Sequence, residues 1–329
     1  MVDIIPPLRR ELLEKELTED LFVRETNNGG NLLYIFTAQE APNLMREVGR
    51  LREESFRHAG GGTGDEIDVD FFDTCENPYK QLIVWDPDAK QILGGYRFKI
   101  CDKNTIDADG KIQLSTADLF DFSDIFRRDY LPYMIELGRS FVQPGYQSTG
   151  RFRKSLYVLD NLWDGLGAII VDNPDIKYCF GKVTMYGGYN IKARNYLLYF
   201  LEKHFADKEG LVIPTEPMET HMNREELAHI FSHKDYMDDY RILSKSVRQL
   251  GEIIPPLINS YMNLSPTMKV FGTVVNPHFG GVEETAIIIT INDIYQAKID
   301  RHISTYDPMY WINKLKHTHI HFPKIRRRK

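Results

Sequence analysis

IELGRSFVQP, residues 135–144, is an apolar run broken by two charges. Ile135, Leu137, Phe141 and Val142 call for an interior. A carboxylate or guanidinium beside them is costly unless it is paired and hydrogen-bonded. On a regular strand, residues three apart face opposite ways, so Glu136 and Arg139 would not meet. A bulge at Gly138 would turn both to one side. The stretch predicts a strand whose two charges meet only if it bulges.

Outward from this strand the chain reads as mixed α/β. Downstream, VQPGYQSTGRF (142–152) leaves the strand and opens a helix, the place for an anion cradle. Helical periodicity follows over 155–171 through Leu156, Leu159, Leu162 and Leu166. YCFGKVTM (178–185) reads as a strand and NIKARNYLLYFLEKHF (190–205) as a helix. Upstream, QLIVWD and QILGGYRFKI flank the turn sequence PDAK and predict a hairpin. Residues 41–59 carry Leu44, Val48, Leu51 and Phe56 at helical spacing and end at GGGTG, a loop or lid. The order predicts an α/β sandwich around a mostly antiparallel sheet. Beyond residue 211, EELAHIF, PPLINSYMNL, MKVFGTVVN and ETAIIITIN continue the alternation without repeats.

Composition narrows the function classes. The 329 residues are 42% hydrophobic and 27% charged, which disfavours disorder. A net charge of −6 argues against a nucleic-acid binder. Positive charge is bunched in RFRK (151–154) and KIRRRK (324–329). Cys75, Cys101 and Cys179 match no disulfide or CxxC spacing and read as thiols in a reducing compartment. With no apolar run of about 18 residues and no signal-peptide pattern, a cytoplasmic protein is expected. His229 and His233 are four apart, but no supporting acid or cysteine accompanies them, and no metal site is expected.

Val142, Pro144, Gln147 and Gly150 resemble the V-x-P-x-x-[QR]-x-x-G loop of the GNAT acetyltransferase superfamily. The loop departs from that pattern at Ser148, where a glycine is expected, and at Phe152, where a small residue is. A bulky Phe152 crowds the approach of a coenzyme A pyrophosphate; an acyl chain on a carrier protein's phosphopantetheine arm has one phosphate diester and no adenosine. The order Arg52 and Phe56, then DFFD with Asp70 and Asp73, GGYRF with Arg97, and ELGRSFV resembles the acyl-homoserine lactone synthases. Residues 254–293, with their proline-led helix and K-V-x-G strand, look closer to the haemolysin-like amino-acid N-acyltransferases of glycine-lipid and ornithine-lipid synthesis.

The resemblance covers roughly residues 32–305. It implies a GNAT-like acyltransferase core with a splayed central sheet over 32–210, an α/β C-terminal extension over 211–329, and an N-terminal extension over 1–31. It implies transfer of a (3-hydroxy)fatty acyl group from acyl carrier protein to the α-amine of an amino acid, glycine first and ornithine second, with no bound cofactor or metal. Thioester aminolysis needs a base for the ammonium, and Glu136 is the candidate. Arg97 and Arg139 complete the expected catalytic set, with backbone N–H groups at the bulge to polarise the carbonyl. Asp70 and Asp73 orient an arginine, Arg52 or Arg97 suits the acceptor's carboxylate, and Phe56 lines core or acyl tunnel. Val142, Gln147, Gly150 and Arg151 would hold the pantetheine phosphate. Arg151, Arg153 and Lys154 would dock the acidic carrier protein. The KIRRRK end would touch the anionic inner leaflet of the cytoplasmic membrane. Three readings stay open beside this one: a structural ion-pair network, a coenzyme A-dependent small-amine acetyltransferase, and a non-catalytic membrane-active protein.

Overall fold

The computed structural model describes residues 1–147, 157–233 and 235–310. Gly150, Arg151, Arg153, Lys154, Phe152 and the KIRRRK end lie outside the described residues. In chain order the first elements are α1 (Arg10–Glu16), β1 (Phe22–Glu25), β2 (Leu32–Phe36), α2 (Pro42–Ala59), α3 (Phe71–Thr74), β3 (Lys80–Asp86) and β4 (Gln91–Ile100). Then come β5 (Phe120–Phe122), β6 (Met134–Val142), α4 (Val158–Asp172), β7 (Tyr178–Met185), α5 (Ile191–Phe205) and β8 (Val212–Pro214). The last are α6 (Arg224–Ile230), α7 (Tyr236–Gln249), α8 (Pro256–Met262), β9 (Lys269–Asn276) and β10 (Val282–Thr290). Contacts group these into two compact units. One comprises Met1–Ile100, Glu136–Ile176 and the chain from Gln296; the other comprises Cys101–Ile135 and Lys177–Tyr295. This division cuts across the sequence boundaries at 31 and 210.

In the first unit the strands run in the order β1-β2-β3-β4-β6. The pairs β1·β2, β2·β3 and β3·β4 are antiparallel, with Gln81 opposite Arg97. The expected hairpin is β3–β4: Asp86 Oδ1 accepts from the N–H of Asp88 at 3.0 Å and of Ala89 at 3.2 Å, which folds PDAK into its turn. The paired glycines of β4 are there for space. A Cβ on Gly94 would lie 2.6 Å from the Phe141 carbonyl, and one on Gly95 2.8 Å from that of Leu82. Residues 1–31, which carry no resemblance, nonetheless contribute β1 to this sheet. The turn after β1 is tied to α4, where Asp164 accepts from Asn27 N at 2.9 Å and contacts His302 Nδ1 at 2.8 Å.

Helix α2 shows how sequence punctuation sets the site's frame. Pro42 occupies its first turn. Glu16 of α1 supplies the missing cap, accepting from Asn43 N at 3.1 Å and Leu44 N at 2.8 Å. At the other end Gly60 is left-handed (φ 94°), and Gly61 N returns a bond to the Phe56 carbonyl at 2.8 Å. The GGGTG loop beyond is pinned. Buried Glu53 accepts from Thr63 N at 3.0 Å, Thr63 Oγ1 at 2.8 Å and Gly64 N at 2.8 Å. Burial works to raise the Glu53 carboxyl, but the bonds from Arg57, Thr63 and Gly64 outweigh it and hold it below the usual carboxylate range.

In the second unit β7, β10 and β9 are neighbours in antiparallel register, and β5 pairs with β8. Phe180 of β7 packs edge-on against Phe122 and Phe126 and at a tilt against Phe271. All four are buried. Full burial of one such ring is worth about 1.5–3 kcal/mol. Among the described residues, no helix is long and apolar enough to cross a membrane.

Candidate active site

The site grows from one turn of helix. In DFFD, Asp70 caps α3 by accepting from Phe72 N at 2.9 Å, and Asp73 reaches back to Asp70 N at 3.2 Å. This reciprocal capping box fixes both carboxylates at the start of α3. Neither acid ends its role there. Asp73 Oδ2 lies 3.0 Å from Arg52 Nη1 and 3.2 Å from Arg97 Nη1, and Asp70 lies 2.7 Å from Arg97 Nη1. Arg52 also donates to Gln81, whose Nε2 bonds Asp73 at 2.9 Å. Gln81 and Arg97 are cross-strand partners, so they share a face by register.

For Asp73 and Arg97 burial opposes the charged form, and the mutual attraction overrides it. Asp73 is buried, yet Arg52 and then Arg97 hold its carboxyl far below the usual range. Arg97 is likewise buried, but Asp73, Asp70 and Asp68 raise its guanidinium above the ordinary value.

Glu136 is fully buried on β6 and accepts a hydrogen bond from the Tyr79 hydroxyl. The Tyr79 ring lies under Arg97 at 5.2 Å and Lys99 at 5.6 Å, which joins Glu136 to the arginine–acid cluster. Arg139 approaches the cluster from the same strand, its Nε 2.8 Å from Asp68 Oδ2 and its Nη2 3.7 Å from Asp70. The irregularity that allows this is one residue later than the sequence implies. Arg139 itself, not Gly138, has the left-handed backbone (φ 48°). Such a conformation costs a residue with a Cβ about 1–2 kcal/mol, and strained backbone of this kind concentrates at functional sites. Glu136 and Arg139 therefore serve one cluster through different partners, Tyr79 and the acids.

The remaining sequence candidates separate. Phe56 is buried on α2. Val142 ends β6, and its carbonyl accepts from Gln147 Nε2 at 2.7 Å, so Gln147 closes the turn that follows. Sequence reasoning missed Tyr79, Gln81 and Asp68. The signal lay in NPYKQ, where Tyr79 and Gln81 are two apart, as one face of a strand requires. Every residue after Lys80 in β3 is buried, so the usual polar–apolar alternation does not advertise that face. Among the described residues, no group of three or more His, Cys, Asp or Glu could hold a metal ion.

The arrangement gathers a buried carboxylate, a tyrosine that donates to it, and arginines paired with aspartates. A family model described as an acetyltransferase (GNAT) domain matches residues 51–156, which include this cluster. The chain is an acyltransferase with a GNAT-type core. It is 51% identical over 306 residues to a protein of Phocaeicola vulgatus named glycine N(alpha)-acyltransferase, covering 93% of this chain and 94% of that protein. It is 54% identical to a protein of the same name from Bacteroides thetaiotaomicron, covering 93% of this chain and 91% of that one. The crystal structure of the AHL synthase LasI aligns with a TM-score of 0.32 at 17% identity, over 48% of this chain and 74% of that one. The chain belongs to the glycine N(alpha)-acyltransferase family, and it is an N-acyltransferase.

Proposed function

We propose that this enzyme transfers a 3-hydroxyfatty acyl group from acyl carrier protein to the α-amine of glycine, the first step of an aminolipid pathway. The observation that carries the reading is identity above one half, along almost the whole chain, to two proteins named for glycine N-acylation. The loop at 142–152, with Phe152 in place of a small residue, favours a phosphopantetheine thioester over coenzyme A.

In this reading the amine nitrogen attacks the thioester carbonyl carbon, a C–N bond forms, and the C–S bond breaks. Glu136 takes the proton of the attacking amine, directly or through one water. The pantetheine sulfur leaves and is protonated from solvent. Tyr79 fixes the orientation of Glu136. All three arginines are paired with aspartates, but the side chains of Arg52 and Arg97 are 0% and 2% exposed while that of Arg139 is 14% exposed. Arg139 is therefore the better partner for the acceptor's carboxylate, where a guanidinium suits bidentate recognition.

Purified enzyme supplied with 3-hydroxyacyl carrier protein and either glycine or ornithine tests the reading by mass spectrometry. N-acyl glycine is the expected product. Formation of N-acyl ornithine alone would change the acceptor. Faster turnover with acyl-coenzyme A would overturn the donor.

A further inference from the structure

Helix α7 plays no part in the site above, yet its outer face is patterned. Met237, Arg241, Lys245 and Arg248 recur at spacings of four, four and three, which places them along one helical face, and all are exposed. The inner face buries Leu243 and Val247, and α7 packs on α5. The acids of α7 do little to cancel the stripe. Asp239 is buried against Lys203 (2.5 Å) and His204 (2.9 Å), and Asp235 caps the helix. Only Asp238 reaches outward, 2.7 Å from Arg241. Arg241, Lys245 and Arg248 line a surface depression of about 360 Å³ together with Tyr240 and Ser244.

Two exposed isoleucines stand at the first residue of α5 and in the loop that follows α7. Ile191 and Ile253 are each 67% exposed. Tyr189 donates to the Ile253 carbonyl at 2.9 Å, and Asn190 N donates to Glu252 at 3.0 Å, so the start of α5 and the loop after α7 are held side by side. Lys192, 58% exposed and 3.9 Å from the half-exposed Glu226, follows Ile191 in α5. Bonds that hold two apolar side chains out in water, beside a row of cations, are the chemistry of a surface that meets anionic headgroups and dips aliphatic side chains among acyl chains.

We infer that the outer face of α7, with Ile191, Lys192 and Ile253, docks this unit on an anionic lipid bilayer. Charge complementarity selects the lipid headgroup, and the projecting isoleucines select a bilayer over an acidic protein helix. An enzyme that makes an amphiphile has a use for such a surface, but lipid binding is measured without acceptor or donor. Its failure is therefore separate from any failure of the acylation reading.

The test is flotation of the full chain with vesicles of phosphatidylcholine, with and without phosphatidylglycerol. Binding should require phosphatidylglycerol and weaken with salt. Each basic residue near such a surface contributes about fivefold in partitioning, so Arg241→Glu with Lys245→Glu and Arg248→Glu should lower it by about a hundredfold or more, with an unchanged circular dichroism spectrum. Ile191→Ser with Ile253→Ser should weaken binding at all salt concentrations. Both effects should persist in a chain lacking residues 324–329. The proposal is overturned if the wild-type chain stays unbound, or if tail removal abolishes binding while the α7 reversal leaves it intact. It is equally overturned if the reversal spares vesicle binding and raises only the KM for acyl carrier protein.

Discussion

Glu284 in the second unit and Asp73 in the first are both carboxylates buried against positive charge, but their surroundings differ. Glu284 on β10 takes Lys182 of β7, Asn276 Nδ2 at 2.9 Å and Thr184 Oγ1 at 3.4 Å. These partners of Glu284 all lie on the strands adjacent to β10. Asp73 sits among three arginines from α2, β4 and β6, two further aspartates from the segment before α3, and the pair of Glu136 on β6 with Tyr79 just before β3. Among the described residues, Arg52 Nε and Arg97 Nε have no hydrogen-bond acceptor, and Arg139 carries left-handed backbone. An ionic group between adjacent strands holds them together. One left with unused donors and strained backbone is arranged for something besides stability.

Matched substitutions in the two regions can break that contrast. The largest difference is expected between Glu136→Gln and Glu284→Gln. The first should lose about 10²–10⁴-fold in kcat, the usual worth of a general base, with little change in melting temperature. The second should melt earlier and turn over normally. Equal losses of kcat would end the distinction.

Asp73→Asn comes next, because it leaves Arg52 and Arg97 short of a buried counter-charge. Breaking such a network costs about 3–5 kcal/mol. The Asp73 carboxyl is depressed in the folded state, so its stabilisation is complete above the unfolded carboxylate pKa of about 4 and is lost as pH falls through its lower folded value. Melting curves should show a gap between wild type and variant that is constant from neutral pH to about pH 5 and narrows only in stronger acid. A gap that narrows between pH 7 and 6 would point to a different group.

Tyr79→Phe and Thr184→Val each delete one hydroxyl that donates to a buried carboxylate. A hydrogen bond to a charged group is worth about 1.5–3 kcal/mol, so Tyr79→Phe should slow kcat by about tenfold or more while the ring still packs under Arg97. The Thr184 bond is long, at 3.4 Å, so Thr184→Val should leave kcat alone and change stability by about 1 kcal/mol or less. Steady-state kinetics and thermal melts on the pair are sufficient.

Much of this was legible because it rests on local rules. The PDAK turn, the Gly60 stop of α2, the Asn190 cap of α5 and the apolar run of β10 are each announced by nearby residues. Asp70 and Asp73 were paired by the family resemblance, whereas the capping box that fixes them, with its three-residue spacing at a helix start, was not read from the sequence. What stayed hidden depends on distant partners. α7 buries only Asp239, Leu243 and Val247, too sparse an apolar face to stand out. β1 is four residues long, and Glu16 acts on a helix that begins 26 residues later. Tyr79 meets Glu136 across 57 residues, and the left-handed residue at 139 follows from packing that no local preference for arginine would suggest.

The central claim is that Glu136 removes a proton from the acceptor amine, and the pH–rate profile of Glu136→Gln with glycine tests it most directly. Without a base, the variant can use only acceptor already deprotonated in solution. Its kcat/KM should climb about tenfold per pH unit toward the amine's pKa, while the wild-type profile levels off at lower pH. A folded Glu136→Gln protein with near-normal turnover, or with a profile parallel to wild type, would contradict the mechanism.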